Sequence, residues 1–138
     1  MTAGMPSQTH SQRHGIVLFA HGSRDPLWHR PMQTVRELVM QSNPDVQCLC
    51  AYLEISEPSL PEAIAQLAAM GCTTIQVLPL FLGTGRHARE DLPVLLAACR
   101  DSHPQLRITV ATPVGEDPRV MHLLAEIALD GAYKEHQS

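Results

Sequence analysis

The chain has 138 residues, 44% of them apolar and 17% charged, the size and composition of one globular domain, which excludes disordered, collagen-like and coiled-coil chains. Fourteen acidic residues against ten basic ones leave a net charge of −4, and that balance argues against the broad basic face a nucleic-acid backbone demands, so no nucleic-acid partner is expected. No apolar run approaches the roughly 20 residues of a membrane span, and residues 1–15 lack the apolar stretch of a secretory signal. Residues 1–15 therefore read as a flexible N-terminal tail, residues 16–138 as a single domain, and the cytoplasm as its setting, with no membrane contact. In that compartment Cys48, Cys50, Cys72 and Cys99 read as small hydrophobes rather than as disulfide or zinc partners.

The first element is Ile16 to Ala20, a continuous apolar run ended by His21-Gly22-Ser23, as in a strand buried on both faces. From about Trp28 to Gln41, Trp28, Met32, Val35, Leu38 and Val39 recur at helical spacing, and Asn43-Pro44 stops the helix. Val46 to Glu54 reads as a second strand. Ser59 or the turn before it opens a helix with Leu60, Ala63, Ile64 and Leu67 on one face, Pro61 in the first turn and Gly71 as its C-terminal cap. Thr73 to Leu78 is a third strand, and Pro79 to Arg86 is too rich in Pro and Gly to prolong it. Ala88 to Ser102 returns to helical spacing, Leu106 to Ala111 is a fourth strand, and Pro118 to Gly131 is the last helix. The order βαβαβαβα predicts an α/β fold, a four-stranded parallel sheet flanked by helices with right-handed crossovers.

In such a sheet, ligands bind beyond the carboxyl ends of the strands. His21 ends the first strand, Glu54 ends the second, and His87 lies in the loop after the third, 33 residues apart in each case. Equal spacing follows from the repeating βα unit. The chemical types are more informative, because two imidazoles and a carboxylate suit divalent iron, cobalt or nickel and also take up protons. Gly22-Ser23 beside His21 and Gly83-Thr84-Gly85 before His87 let a ligand come close to the backbone. Arg24, Arg86 and Arg89 would form a local positive patch on the same rim, suited to an anionic substrate. Leu80, Phe81 and Leu82 read either as the wall of an apolar cleft or as core filling, and Trp28 either as a cover for the cleft or as packing for its helix. His10, His14, His103, His122 and His136 read as bystanders.

Three ordered segments carry a family resemblance: AHGSRDP at 20–26, LEISEPSLPEAI at 53–64 and PLFLGTGRHAREDLP at 79–93. Together they resemble the short CbiX/SirB class of sirohydrochlorin chelatases over about Ile16 to Leu129. The resemblance implies a chelatase-like half-domain and a lyase that inserts a divalent metal into sirohydrochlorin, on the route to cobalamin or sirohaem. It implies no organic cofactor and a metal ion as substrate, Co²⁺ favoured, with Fe²⁺ or Ni²⁺ as alternatives. By the same likeness His21 and His87 match the family's catalytic histidines and Glu54 the acidic residue that joins them in some members, all three expected to handle the metal; on the charge and apolar character of the rim, Arg24, Arg86 and Arg89 are expected to grip substrate carboxylates and Leu80, Phe81 and Leu82 to hold the macrocycle. Longer relatives carry two such domains, which implies a homodimer for a chain with one. The one departure noted is Ala88 after His87, where Val is the more usual neighbour. A carrier that binds metal or tetrapyrrole without turnover would use the same residues. A histidine-nucleophile phosphoryl-transfer enzyme fits poorly, because Ala20 stands where its signature would place Arg.

Overall fold

The computed structural model describes residues 13–137. Four parallel strands, β1 (Arg13–Ala20), β2 (Val46–Tyr52), β3 (Cys72–Pro79) and β4 (Arg107–Val110), form one sheet in the order β2-β1-β3-β4. Each strand is followed by a helix: α1 (Arg30–Ser42), α2 (Leu60–Ala69), α3 (Arg86–Ser102) and α4 (Pro118–Gln137). The expected alternation is the one the chain adopts.

The central strand is β1, with Phe19 opposite Ala51 on one side and Pro79 on the other. Hydrogen-bonded along both edges and covered on both faces beyond its exposed start at Arg13 and His14, it is apolar from Ile16 to Ala20. Val17 and Phe19 are fully buried, and Leu18 is 1% exposed. Successive side chains point to opposite faces, so two cores form. The larger joins Val17, Phe19, Ile75, Val77 and Ile108 to Leu60, Ile64 and Leu67 of α2 and Leu96 of α3. The smaller joins Ala20 and Tyr52 to Met32 of α1, with Cys50 and Leu80 at its edge.

Several boundaries differ from the sequence reading, each for a local reason. Arg13–Gly15, assigned to the tail, belong to β1; the rest of that segment, up to residue 12, lies outside the described residues. Gly15 is needed there, since a Cβ would lie 3.0 Å from Leu67 Cδ1 and 3.2 Å from Cys72 Sγ. Arg13 donates to the Met70 carbonyl at 3.0 Å, tying the strand's start to the end of α2. Trp28 falls in a 3₁₀ turn (Pro26–His29) rather than in α1. Pro31 lacks an N–H, so it is tolerated only in the first turn of an α-helix, which therefore opens at Arg30. Strand β2 stops at Tyr52, not Glu54, because the chain folds back and Tyr52 N–H donates to the Pro58 carbonyl at 2.9 Å.

Helix α2 carries a reciprocal cap: Ser59 Oγ accepts from Glu62 N–H at 3.3 Å, and Glu62 Oε1 accepts from Ser59 N–H at 2.8 Å. It ends at Gly71, whose φ of +93° is open to glycine at no steric cost. Gly131 is not in that left-handed region, and α4 runs through it to Gln137 instead of ending there. Helix α4 has one polar stripe, Arg119, His122, Glu126, Asp130 and Lys134, and is largely apolar elsewhere. Leu123, Ile127 and Leu129 are more than half exposed. The only described element of its own chain that α4 packs on substantially is the short turn just before it, Val114–Glu116.

Replacing the fully buried Ile64 by Ala is expected to cost about 2–5 kcal/mol, measured by urea unfolding. The Ser59 backbone N–H, helped by the Ser59 hydroxyl, holds the Glu62 carboxyl below its ordinary range. Stability from a depressed carboxyl is present above its unfolded pKa and fades as pH falls through the folded one. The deficit in Tm of Glu62→Ala is therefore expected to be full at neutral pH and to shrink as the solution is acidified below the carboxylate range.

Candidate active site

The chain runs from β1 outward to β2 and then crosses back to β3 on the other side of β1. The loops leaving the carboxyl ends of β1 and β3 therefore diverge, the place where open α/β sheets bind ligands. His21 is the first residue past β1, Glu54 lies two past β2, and His87 is the second residue of α3. All three line one cleft of about 410 Å³, together with Leu53, Arg86 and Asp91.

The His21 imidazole is held from two directions and its backbone from a third. Its Nδ1–H donates to Glu54 Oε1 at 3.1 Å. The ring leans on Phe81 with centroids 4.7 Å apart and planes at 42°. Its backbone carbonyl accepts from Trp28 Nε1–H at 2.9 Å. Both side chains of the His21–Glu54 pair are 44% exposed, and ion pairs that wet contribute about 0–1 kcal/mol at most. The pair orients more than it stabilises. With Nδ1–H spent on the carboxylate, the Nε2 lone pair is left to take a proton or a metal ion.

The expected site residues divide. His21 and Glu54 are hydrogen-bonded, and His87 lines the same cleft, but no three His, Cys, Asp or Glu side chains among the described residues gather closely enough to hold one ion between them. The expected three-ligand metal set is thus one pair plus one separate imidazole. Arg86 lines the cleft, with its Nε–H donating to Glu90 Oε1 at 2.9 Å. Arg24 and Arg89 do not line it; the Arg89 guanidinium, from the first turn of α3, turns back to the Thr84 carbonyl of the preceding loop. The apolar wall expected from Leu80, Phe81 and Leu82 does not form as a unit, because the chain leaves β3 at Pro79 and these three residues take different surroundings. Leu80 packs in the smaller core beside α1, Phe81 is 2% exposed and forms the floor under His21, and Leu82 is 64% exposed.

Asp91 was missed. It stands four residues after His87 on α3, a spacing that puts both on one helix face and could have flagged it. Trp28 proves to act on the site through the His21 carbonyl. Of the remaining histidines, His14 bonds the Thr74 hydroxyl on β3, and His10 lies outside the described residues. The thiols are not candidate ligands: all four cysteines are unbridged, and burial pushes Cys48 up to about 11 and raises Cys50, Cys72 and Cys99 as well.

Fold and rim together define a class: a single parallel α/β domain presenting imidazole and carboxylate donors at its topological switch point. The profile of the CbiX family matches residues 15–130. The chain is 32% identical over 114 residues to the sirohydrochlorin cobaltochelatase of Sulfolobus acidocaldarius, an alignment covering 83% of this chain and 89% of that protein. Among solved structures, a CbiX protein from Marinobacter aquaeolei VT8 superposes with a TM-score of 0.76 at 30% identity, covering 88% of this chain and 98% of that one. The sirohydrochlorin chelatase SirB from Bacillus subtilis subspecies spizizenii, in complex with cobalt, superposes with a TM-score of 0.73 at 26% identity. That match covers 86% of this chain but 51% of SirB, so the chain spans about half of SirB. The chain belongs to the CbiX family.

Gly22 is where the two rim loops touch: a Cβ there would lie 1.8 Å from the Glu54 carbonyl oxygen. Gly22→Ala must push the loops apart. It is expected to cost about 1–3 kcal/mol in urea unfolding and, in a crystal structure, to separate His21 Nδ1 from Glu54 Oε1.

Proposed function

We propose that this chain is a sirohydrochlorin chelatase that inserts a divalent metal ion into the tetrapyrrole. The observation that carries this reading is the meeting of His21, Glu54 and His87 in one cleft at the switch point of a CbiX-family sheet. Cobalt is the favoured ion, in keeping with the name of the Sulfolobus relative and with the cobalt complex of SirB. Iron and nickel suit the same donors.

Insertion exchanges two pyrrole N–H protons for one M²⁺, so the ion must shed water while two protons leave. Donors that bind the ion only in passing suit this better than a closed cage, which would retain it. His21 Nε2, freed by the Nδ1–H bond to Glu54, and the His87 imidazole act as proton acceptors and passing ligands. Glu54 holds His21 in the required tautomer and balances the positive charge that builds up on it. Arg86, its guanidinium largely open to solvent, takes a substrate carboxylate; Arg24 and Arg89, the latter in the first turn of α3, lie outside the cleft and reach only a substituent that extends beyond it. Phe81 supports the His21 ring. The exchange involves no change of oxidation state and needs no organic cofactor.

The working unit we propose is a homodimer. The uncovered apolar surface of α4 supports it, as does a cleft of about 410 Å³, near the small end of the roughly 300–1,000 Å³ range of ligand pockets. The cytoplasm is the proposed setting, and four unbridged thiols fit its reducing poise.

With sirohydrochlorin and Co²⁺ in excess, catalytic amounts of protein are expected to convert many equivalents, followed by the change in tetrapyrrole absorption. Conversion of one equivalent per chain would make the protein a carrier. His87→Ala is expected to lower turnover about 10²–10⁴-fold with an unchanged circular dichroism spectrum; retained turnover would remove His87 from the mechanism. Ile127→Glu, on the exposed side of α4, is expected to shift sedimentation from dimer to monomer.

A further inference from the structure

The loop after β1 and the loop after β2 meet again two residues beyond the His21–Glu54 pair. Ser23 N–H donates to Ser56 Oγ at 3.0 Å, and the Ser56 hydroxyl donates to the Ser23 carbonyl at 2.9 Å. A hydroxyl can do both at once, so this side chain pairs with Ser23 as a neighbouring strand would. Its single proton is then committed to Ser23. His29 Nε2 lies 3.1 Å from the same carbonyl and 3.2 Å from Ser56 Oγ. The carbonyl can only accept, so the His29 nitrogen carries a proton and donates to both oxygens. The His29 ring is seated on Tyr52, the last residue of β2, with centroids 4.6 Å apart.

Ser56 N–H closes a tight turn onto the Glu54 carbonyl at 2.7 Å and Tyr52 N–H bonds the Pro58 carbonyl at 2.9 Å, but both bonds lie within the loop after β2 and neither ties it to the loop after β1. Ile55, between Glu54 and Ser56, is exposed and sits at a φ of +70°, a conformation that a β-branched residue keeps only when its surroundings impose it. The hydrogen bonds across the two loops are the His21–Glu54 pair itself at 3.1 Å, Leu53 N–H to the Ala20 carbonyl at 2.8 Å before it, and the Ser56 cluster after it.

We propose that Ser56 and His29 are positioning residues: they clasp the two rim loops so that Glu54 stays on His21 Nδ1–H and the Nε2 lone pair stays directed to the metal. The proposal deepens the chelatase reading and rests on it for its kinetic consequence. Neither residue lines the cleft, so they act on the rate without touching the tetrapyrrole.

The test compares the full chain with Ser56→Ala, Ser56→Thr, His29→Leu and His29→Gln. Ser56→Ala and His29→Leu are expected to lower kcat for Co²⁺ insertion about tenfold to a hundredfold, the usual effect of losing a residue that orients a metal-handling histidine, with KM for sirohydrochlorin nearly unchanged. Ser56→Thr and His29→Gln keep the hydroxyl and the N–H donor, and are expected to recover most of the rate. Independently of substrate, the imidazole ¹⁵N shifts of His21 should report one tautomer, Nδ1–H, in the wild type and a mixture in Ser56→Ala. Wild-type kcat in both Ser56→Ala and His29→Leu, or an unmixed His21 tautomer in them, overturns the clasp. If Ser56→Ala does not fold, His29→Leu decides by the same two measurements, since it leaves the Ser56–Ser23 bonds in place. A wild-type chain with no turnover would instead sink the chelatase reading, while the ¹⁵N shifts still decide the clasp.

Discussion

The placement of β1 between β2 and β3 governs this molecule. Both edges of β1 are hydrogen-bonded and both faces are covered, so Val17, Leu18 and Phe19 have no solvent to reach. Because all its neighbours run parallel to it, every loop that follows a strand leaves the sheet at the same end. Because β2 and β3 lie on opposite sides of it, the loops after β1 and β3 part company there and leave a cleft. His21, Glu54 and His87 are on one rim for these two reasons.

Within the rim, orientation outweighs strength. A half-exposed imidazole–carboxylate pair adds little to stability, yet a hydrogen bond at 3.1 Å decides which ring nitrogen keeps its lone pair. The supports are steric and local: Phe81 under the ring, the Trp28 indole on the His21 carbonyl, and the close contact of Gly22 with the Glu54 backbone. Among the described residues no three His, Cys, Asp or Glu side chains gather closely enough to hold one ion between them. A cage deep enough to keep the ion would oppose its transfer to the macrocycle.

Much of this was legible in the residues. The apolar run Ile16 to Ala20 marks a doubly buried strand because no polar residue interrupts it, and the Leu60, Ala63, Ile64, Leu67 pattern marks the buried face of α2 because helical periodicity brings those positions together. The three rim donors were legible because each follows an apolar strand within a repeating unit. The fate of Leu80–Leu82 was not, since three apolar residues in a row look alike until the fold gives each its own surroundings. Nor was the split among the arginines: Arg86, Arg89 and Arg24 are chemically equal, and only their places on the folded chain, two of them in the first turn of α3, put one in the cleft and turn another onto Thr84.

The sequence by itself determined the alternation of strands and helices, the buried faces and the identity of His21, Glu54 and His87 on the rim, though not that of Asp91. These follow from hydrophobic periodicity, turn residues and side-chain chemistry, which act over a few neighbouring residues. Only the tertiary structure decided that Glu54 bonds His21 Nδ1, that Ser56 and His29 join two loops, and that α4 leaves its apolar surface without cover among the described residues. Those outcomes depend on contacts between segments more than twenty residues apart or on the packing of whole elements, and local pattern carries no information about either.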